Sequence, residues 1–168
     1  MKKSFWTAYL LLLLLQVLIT NYVGLSPYLL LTILPLMVLC IPVRIKAPWA
    51  MLIAFATGLA VDFISEGVLG LNALALVPVA FVRIGVIKLL FGADLLARGE
   101  DFSVRRNGLV QVLLAILVCQ GLFLLIYIWV DGASMRSFGF GLARFVVSLV
   151  CSTLVSLLPL NVLAPDKR

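Results

Sequence analysis

Residues 108–130 read GLVQVLLAILVCQGLFLLIYIWV, without one charged side chain. A helix that crosses the hydrocarbon core of a bilayer needs about 20 mostly apolar residues. This run meets that length, and it is apolar all round rather than along one stripe. It has company. Residues 5–20, 27–43, 49–61, 68–82 and 138–163 are equally apolar, with Arg144 the single charge among them. Of the 168 residues, 64% are hydrophobic and 12% are charged, and the mean hydropathy is +1.24. Soluble chains carry roughly 25% charged residues. A water-soluble domain of this size cannot hide so much apolar surface, so the chain is expected to use lipid as its solvent.

The pattern predicts an all-α, polytopic bundle of six membrane spans. They fall near 4–22, 27–43, 47–64, 68–89, 107–130 and 138–163. Residues 1–168 then form one integral membrane domain, with no room for a separate soluble domain. The charges test the count. Lys2 and Lys3 precede span one, Arg44 and Lys46 fill the turn after span two, and Lys167 and Arg168 close the chain. Arg83, Lys88, Arg98, Arg105 and Arg106 lie between or at the ends of spans four and five. The opposite loops hold Arg136, with Arg144 just inside span six. Cytoplasmic loops are enriched in Lys and Arg. Six spans therefore put both termini in the cytoplasm, whereas five or seven would scatter the charges over both sides. Residues 92–107 are polar and mixed in sign. They read as the one substantial cytoplasmic loop, either solvated or a contact surface, and partly in the headgroup layer through Leu95, Leu96 and Phe102.

Several functions are disfavoured by composition. The net charge of +6 would suggest nucleic acid in a soluble protein, but here membrane topology accounts for it. Cys40, Cys119 and Cys151 lie singly in different apolar runs and read as packing residues, not a disulfide frame or metal site. There is no histidine, the usual general base and transition-metal ligand. No catalytic, cofactor-binding or metal-binding residue is assigned. Lys2, Lys3 and the apolar run after them imitate a signal peptide, yet the cleavage region is a poor match, so an uncleaved first helix is expected. Pro35 and Pro78 fall mid-span and are expected to kink their helices.

Asp62 is the most informative polar position. Counting back in fours from it gives Gly58, Ala54 and Ala50, one helix face of small residues that lets another helix approach closely. Asp62 should then point into the bundle and need a partner. Span six carries a second stripe, Arg144, Ser148, Ser152 and Ser156, with its cation at the same expected depth. An Asp62–Arg144 pair, direct or through water, is predicted, against the simpler reading that Asp62 sits in the outer headgroup layer. Glu66 lies one turn beyond, but neither it nor Ser65 has the companions of an acid–base or nucleophilic site. Gly67 and Gly70 read as a tight turn between spans three and four, with Asn72 capping or bridging helices. Gln16, Gln111 and Gln120 read as interhelical hydrogen bonds.

The segment 58–74, GLAVDFISEGVLGLNAL, resembles part of the rod shape-determining protein MreD family. Such proteins carry G-x-x-x-D at the end of a span, matched by Gly58 and Asp62, and then L-G-x-x-A-L, matched by Leu69, Gly70, Ala73 and Leu74. The chain length and the six-span layout are similar throughout, while Glu66, Asn72 and the charged segment 94–106 have no counterpart in the motif. The resemblance implies a non-enzymatic scaffold of the bacterial cell-elongation machinery that makes rod-shaped cell-wall peptidoglycan. It implies a place in the inner membrane and binding to a single-span MreC-type partner. It further implies work beside the actin-like filament protein and the glycosyltransferase–transpeptidase pair. The family's fold is similar to that of the substrate-capture subunits of energy-coupling vitamin transporters, so a solute-binding membrane subunit of a transporter is the alternative. The face bearing Ala54, Gly58, Asp62 and Gly70 is the first expectation for contact with the partner.

Overall fold

A computed structural model of the chain describes residues 3–23, 29–65, 69–92, 108–132 and 138–159. Among these residues the protein is all helical. The helices are α1 (Lys3–Val23), α2 (Leu34–Leu39), α3 (Ala47–Ser65), α4 (Leu71–Phe91), α5 (Leu109–Gly132) and α6 (Phe138–Leu157). All but α2 are long and apolar enough to cross a membrane. The segment expected as the charged cytoplasmic loop, together with Glu66 and Gly67, lies outside the described residues apart from Gly92 at its start.

One expected span is not a continuous helix. Among the described residues 29–43, only the six of α2 are helical, and residues 29–33 approach it without helical structure. Pro35 therefore kinks no span. It sits in the first turn of α2, where a missing N–H is harmless. Pro78 does lie inside α4. α2 is wholly buried and packs against α1, α3, α4 and α5.

The directions of the helices follow from their contacts. Trp6 lines a groove with Trp49 and Ile53, and Tyr9 bonds to Thr57, so α1 and α3 run the same way. α3 and α4 form an antiparallel hairpin through Gly58 against Ala73. α5 and α6 form another, with Gly121 beside Leu149 and Gly141 beside Ile128. Between α1 and α3 the chain returns against the direction of α1. Gln16 meets Leu31 and Ile33, whereas Trp6 meets Arg44 and Ile45. Ten helical residues separate those two levels, so the return covers about 15 Å.

On α6 and α1 the polar side chains face the core and large apolar ones face outward. On α6, Ser148, Ser152 and Ser156 are fully buried, while Leu142, Val146, Val150 and Leu154 are exposed. On α1, Gln16 is buried, while Leu10, Leu11 and Leu14 are more than 60% exposed. Water would favour the reverse. A hydrocarbon solvent favours this arrangement, because polar groups must then find partners inside the protein.

Candidate functional site

Two polar assemblies organise the interior. The first is the α3–α4 junction. Asp62 is one turn from the end of α3 and 1% exposed. Its Oδ2 accepts the backbone N–H groups of Gly70 at 2.9 Å and Ala73 at 3.3 Å. Its Oδ1 accepts the backbone N–H of Asn72 at 3.1 Å and the Asn72 side-chain amide at 2.9 Å. The carboxylate therefore caps the first turn of α4, where N–H groups lack intrahelical partners and the helix dipole favours an anion. Gly70 precedes that turn at φ +96°, a conformation that favours glycine. Leu69 and Leu74 flank the turn and are exposed.

Gly58 sets the spacing. A Cβ there would stand 2.4 Å from Ala73 Cα and 2.5 Å from Ala73 N. Only glycine allows α3 to lie this close to the start of α4. Ala50 and Ala54 continue the face and are buried with it. At Gly58 and Asp62 this face meets the start of α4.

The expected Asp62–Arg144 pair does not form. Donors from α4 surround the Asp62 carboxylate, and Arg144 Nη1 pairs with Asp131 Oδ2 across the α5–α6 hairpin. Equal expected depth put Asp62 and Arg144 together, but nearby partners satisfy each. Arg83 lies within α4, inside the expected fourth span, at 0% exposure. Its Nη1 donates to the Val38 carbonyl at 3.4 Å and its Nη2 to the Pro42 carbonyl at 3.2 Å. It binds the chain at and beyond the C-terminus of α2, at carbonyls that also accept the backbone N–H groups of Ile41 and Ile45.

The second assembly holds the non-helical segment before α2. Backbone groups in a lipid-embedded core must be satisfied by the protein, and here three helices do so. Ser148 accepts the Leu30 N–H at 2.9 Å. Ser152 accepts the Thr32 N–H at 3.1 Å and donates to the Leu30 carbonyl at 2.9 Å. Gln16 accepts the Ile33 N–H at 2.7 Å and donates to the Leu31 carbonyl at 3.2 Å. Gln120 donates to the Thr32 carbonyl at 3.0 Å. The serine stripe fits by register. Four helical residues rise about 6.0 Å and two extended residues about 6.6 Å, so Ser148 meets Leu30 and Ser152 meets Thr32. At Leu34 the chain turns into α2 and its N–H bonds to Thr32 Oγ1 at 3.2 Å instead. Ser156, the next of the stripe, is left buried without a hydrogen-bond partner.

The roles expected of Gln16 and Gln120 therefore hold in kind, but their partner is the backbone of an unwound segment. Gln111 is exposed. Hydropathy gave no sign of the unwinding. The signals were Pro35 and the amide and hydroxyl side chains on three other spans. Compared with known proteins, the chain matches no family model, no curated protein and no solved structure.

Proposed function

We propose that this protein is a non-enzymatic scaffold in the bacterial inner membrane, a subunit of the cell-elongation complex that binds a single-span MreC-type protein. The observation that carries the reading is the α3–α4 junction. Gly58, Asp62, Gly70 and Ala73, residues on which the MreD resemblance rests, meet at one buried contact. Their pattern thus has one physical purpose: a close helical hairpin locked by a carboxylate. Such a lock supports a rigid body that presents fixed helix faces. With the small-residue face occupied by α4, the outer faces of α1 and α6 are where a partner helix would pack. The cytoplasmic filament protein and the glycosyltransferase–transpeptidase pair would join through the same complex.

In this reading the unwound segment and α2 make a sixth crossing. α1 and α3 run the same way, so the chain between them must return across the bilayer. Six crossings keep both termini on the cytoplasmic side with most of the basic residues.

One observation favours the alternative, a solute-binding transport subunit: discontinuous spans are frequent where membrane transporters bind solutes. Here, however, Gln16, Gln120, Ser148 and Ser152 engage the backbone of the unwound segment. Co-expression with an MreC-type protein and purification in mild detergent separates the two readings. The scaffold reading expects stoichiometric recovery of the partner. Failure to recover it, with a small solute retained through purification, would overturn that reading in favour of transport.

A further inference from the structure

Residues 29–34 read LLLTIL. Leucine is a strong helix former, and inside a bilayer a helix satisfies its own backbone. Yet residues 29–33 are not helical, and side chains of three helices hold their backbone instead. Residues 30 and 32 bond to α5 and α6, whereas residues 31 and 33 bond to Gln16 of α1. That alternation belongs to extended chain. At the far end of α2, Arg83 holds the Val38 and Pro42 carbonyls. One residue would disturb a continuous helix over 29–39. Pro35 has no N–H, so the Leu31 carbonyl four residues earlier would lack its donor. Gln16 already donates to that carbonyl at 3.2 Å. It is therefore satisfied in either conformation, and Pro35 would bend the helix without breaking it.

We propose that residues 29–39 form a two-position element governed by α6. While α6 is docked, residues 29–33 stay unwound. When α6 moves away, the Leu30 N–H, the Leu30 carbonyl and the Thr32 N–H lose Ser148 and Ser152. No water replaces those serines in hydrocarbon, so the segment winds into a helix continuous with α2. Each residue that winds shortens the chain from about 3.3 Å to about 1.5 Å. With Leu31 held by Gln16, winding of the two residues between it and α2 draws α2 about 4 Å toward Leu31. That parts the Val38 and Pro42 carbonyls from Arg83, which they meet at 3.4 and 3.2 Å. The position of α6 is thereby coupled to the far end of α2 through an element with two discrete forms. α6 suits the part. It packs chiefly against α5, and its outer side, with Val146, Val150 and Leu154, is exposed. A partner helix on that side, as the trigger, rests on the scaffold reading; the two positions do not.

Solid-state NMR of the full-length protein in lipid bilayers tests this. Thr32–Ile33 is the one Thr-Ile step in the sequence, so carbon-labelled threonine with nitrogen-labelled isoleucine singles out Thr32 through their shared bond. The Cα and Cβ shifts of Thr32 separate helix from extended chain. Wild type should show extended values. S148A/S152A should show helical values, and S152A alone should show both sets. Adding R83K to S152A should enlarge the helical set, because the lysine ammonium lacks the two-pronged reach of the guanidinium. Where S148A/S152A fails to fold, S152A and its R83K derivative decide. Extended values alone in these variants would overturn the proposal. So would Thr32 signals that disperse into disorder while the rest of the spectrum stays native, or a helical set indifferent to R83K.

Discussion

Asp62 holds α4 with both of its oxygens, and every neighbour it bonds to is a donor. Two substitutions follow from that geometry. Asp62→Ala leaves the first turn of α4 uncapped inside the bundle and should destabilise the protein by roughly 2–4 kcal/mol. Asp62→Asn is isosteric, yet it should rescue little, because its NH₂ group must face N–H donors on one side or the other. Thermal unfolding in detergent compares them; an Asn variant as stable as wild type would refute the all-donor environment. Glycines give a second contrast. Gly58→Ala forces a Cβ into Ala73 and should cost about 1–3 kcal/mol. Gly85→Ala, on the same hairpin with nothing within 4 Å of its Cβ, should be neutral or slightly stabilising. Equal effects at the two positions would count against the close approach. At this scale the sequence was informative: Gly58, Asp62 and their small-residue face read as packed and inward. The identity of the partner was not legible. Depth and charge sign suggest Arg144, but local backbone donors reach the carboxylate through a short turn, and hydropathy does not register them.

At the scale of elements, α2 and the chain before it depend on side chains contributed by α1, α5 and α6. Ser152→Ala removes an acceptor from Thr32 and a donor from Leu30, and should cost about 1–3 kcal/mol. Ser156→Ala, one turn along the same stripe, removes a buried hydroxyl with no hydrogen-bond partner. It should be neutral or stabilising. Denaturation of the two variants side by side checks the register. If both cost the same, the match of Ser148 and Ser152 to Leu30 and Thr32 is wrong. The five long helices were legible from apolar run length, and their ends fall within a few residues of expectation except at the close of α6, which stops at Leu157 rather than near 163. The interruption at 29–33 was not legible. Leu29, Leu30 and Leu31 are as apolar as any spanning residues, so hydropathy cannot distinguish helical from extended chain there. The signal lay elsewhere in the sequence, in Gln16, Gln120 and the serines of α6, whose joint meaning depends on which helices are neighbours.

Among the described residues, an apolar exterior surrounds a largely apolar core threaded by hydrogen-bonded polar side chains. Arg83 adds to this interior, binding carbonyls of the chain at and after α2. It leaves fewer cations to set orientation, yet Arg44, Lys46 and Lys88 still lie toward the end at which α1 and α3 begin. The parity of the crossings is the central claim. Five uninterrupted helices alone would carry the two termini to opposite sides of the membrane. In the proposed topology the return of the chain through the unwound segment and α2 brings them back to the same side. Reporter fusions before Met1 and after Arg168, each made with green fluorescent protein and with alkaline phosphatase, measure this directly. Fluorescence from both ends, with phosphatase activity from neither, is the expected result. Phosphatase activity at one end and fluorescence at the other would mean an odd number of crossings, and would contradict the sixth.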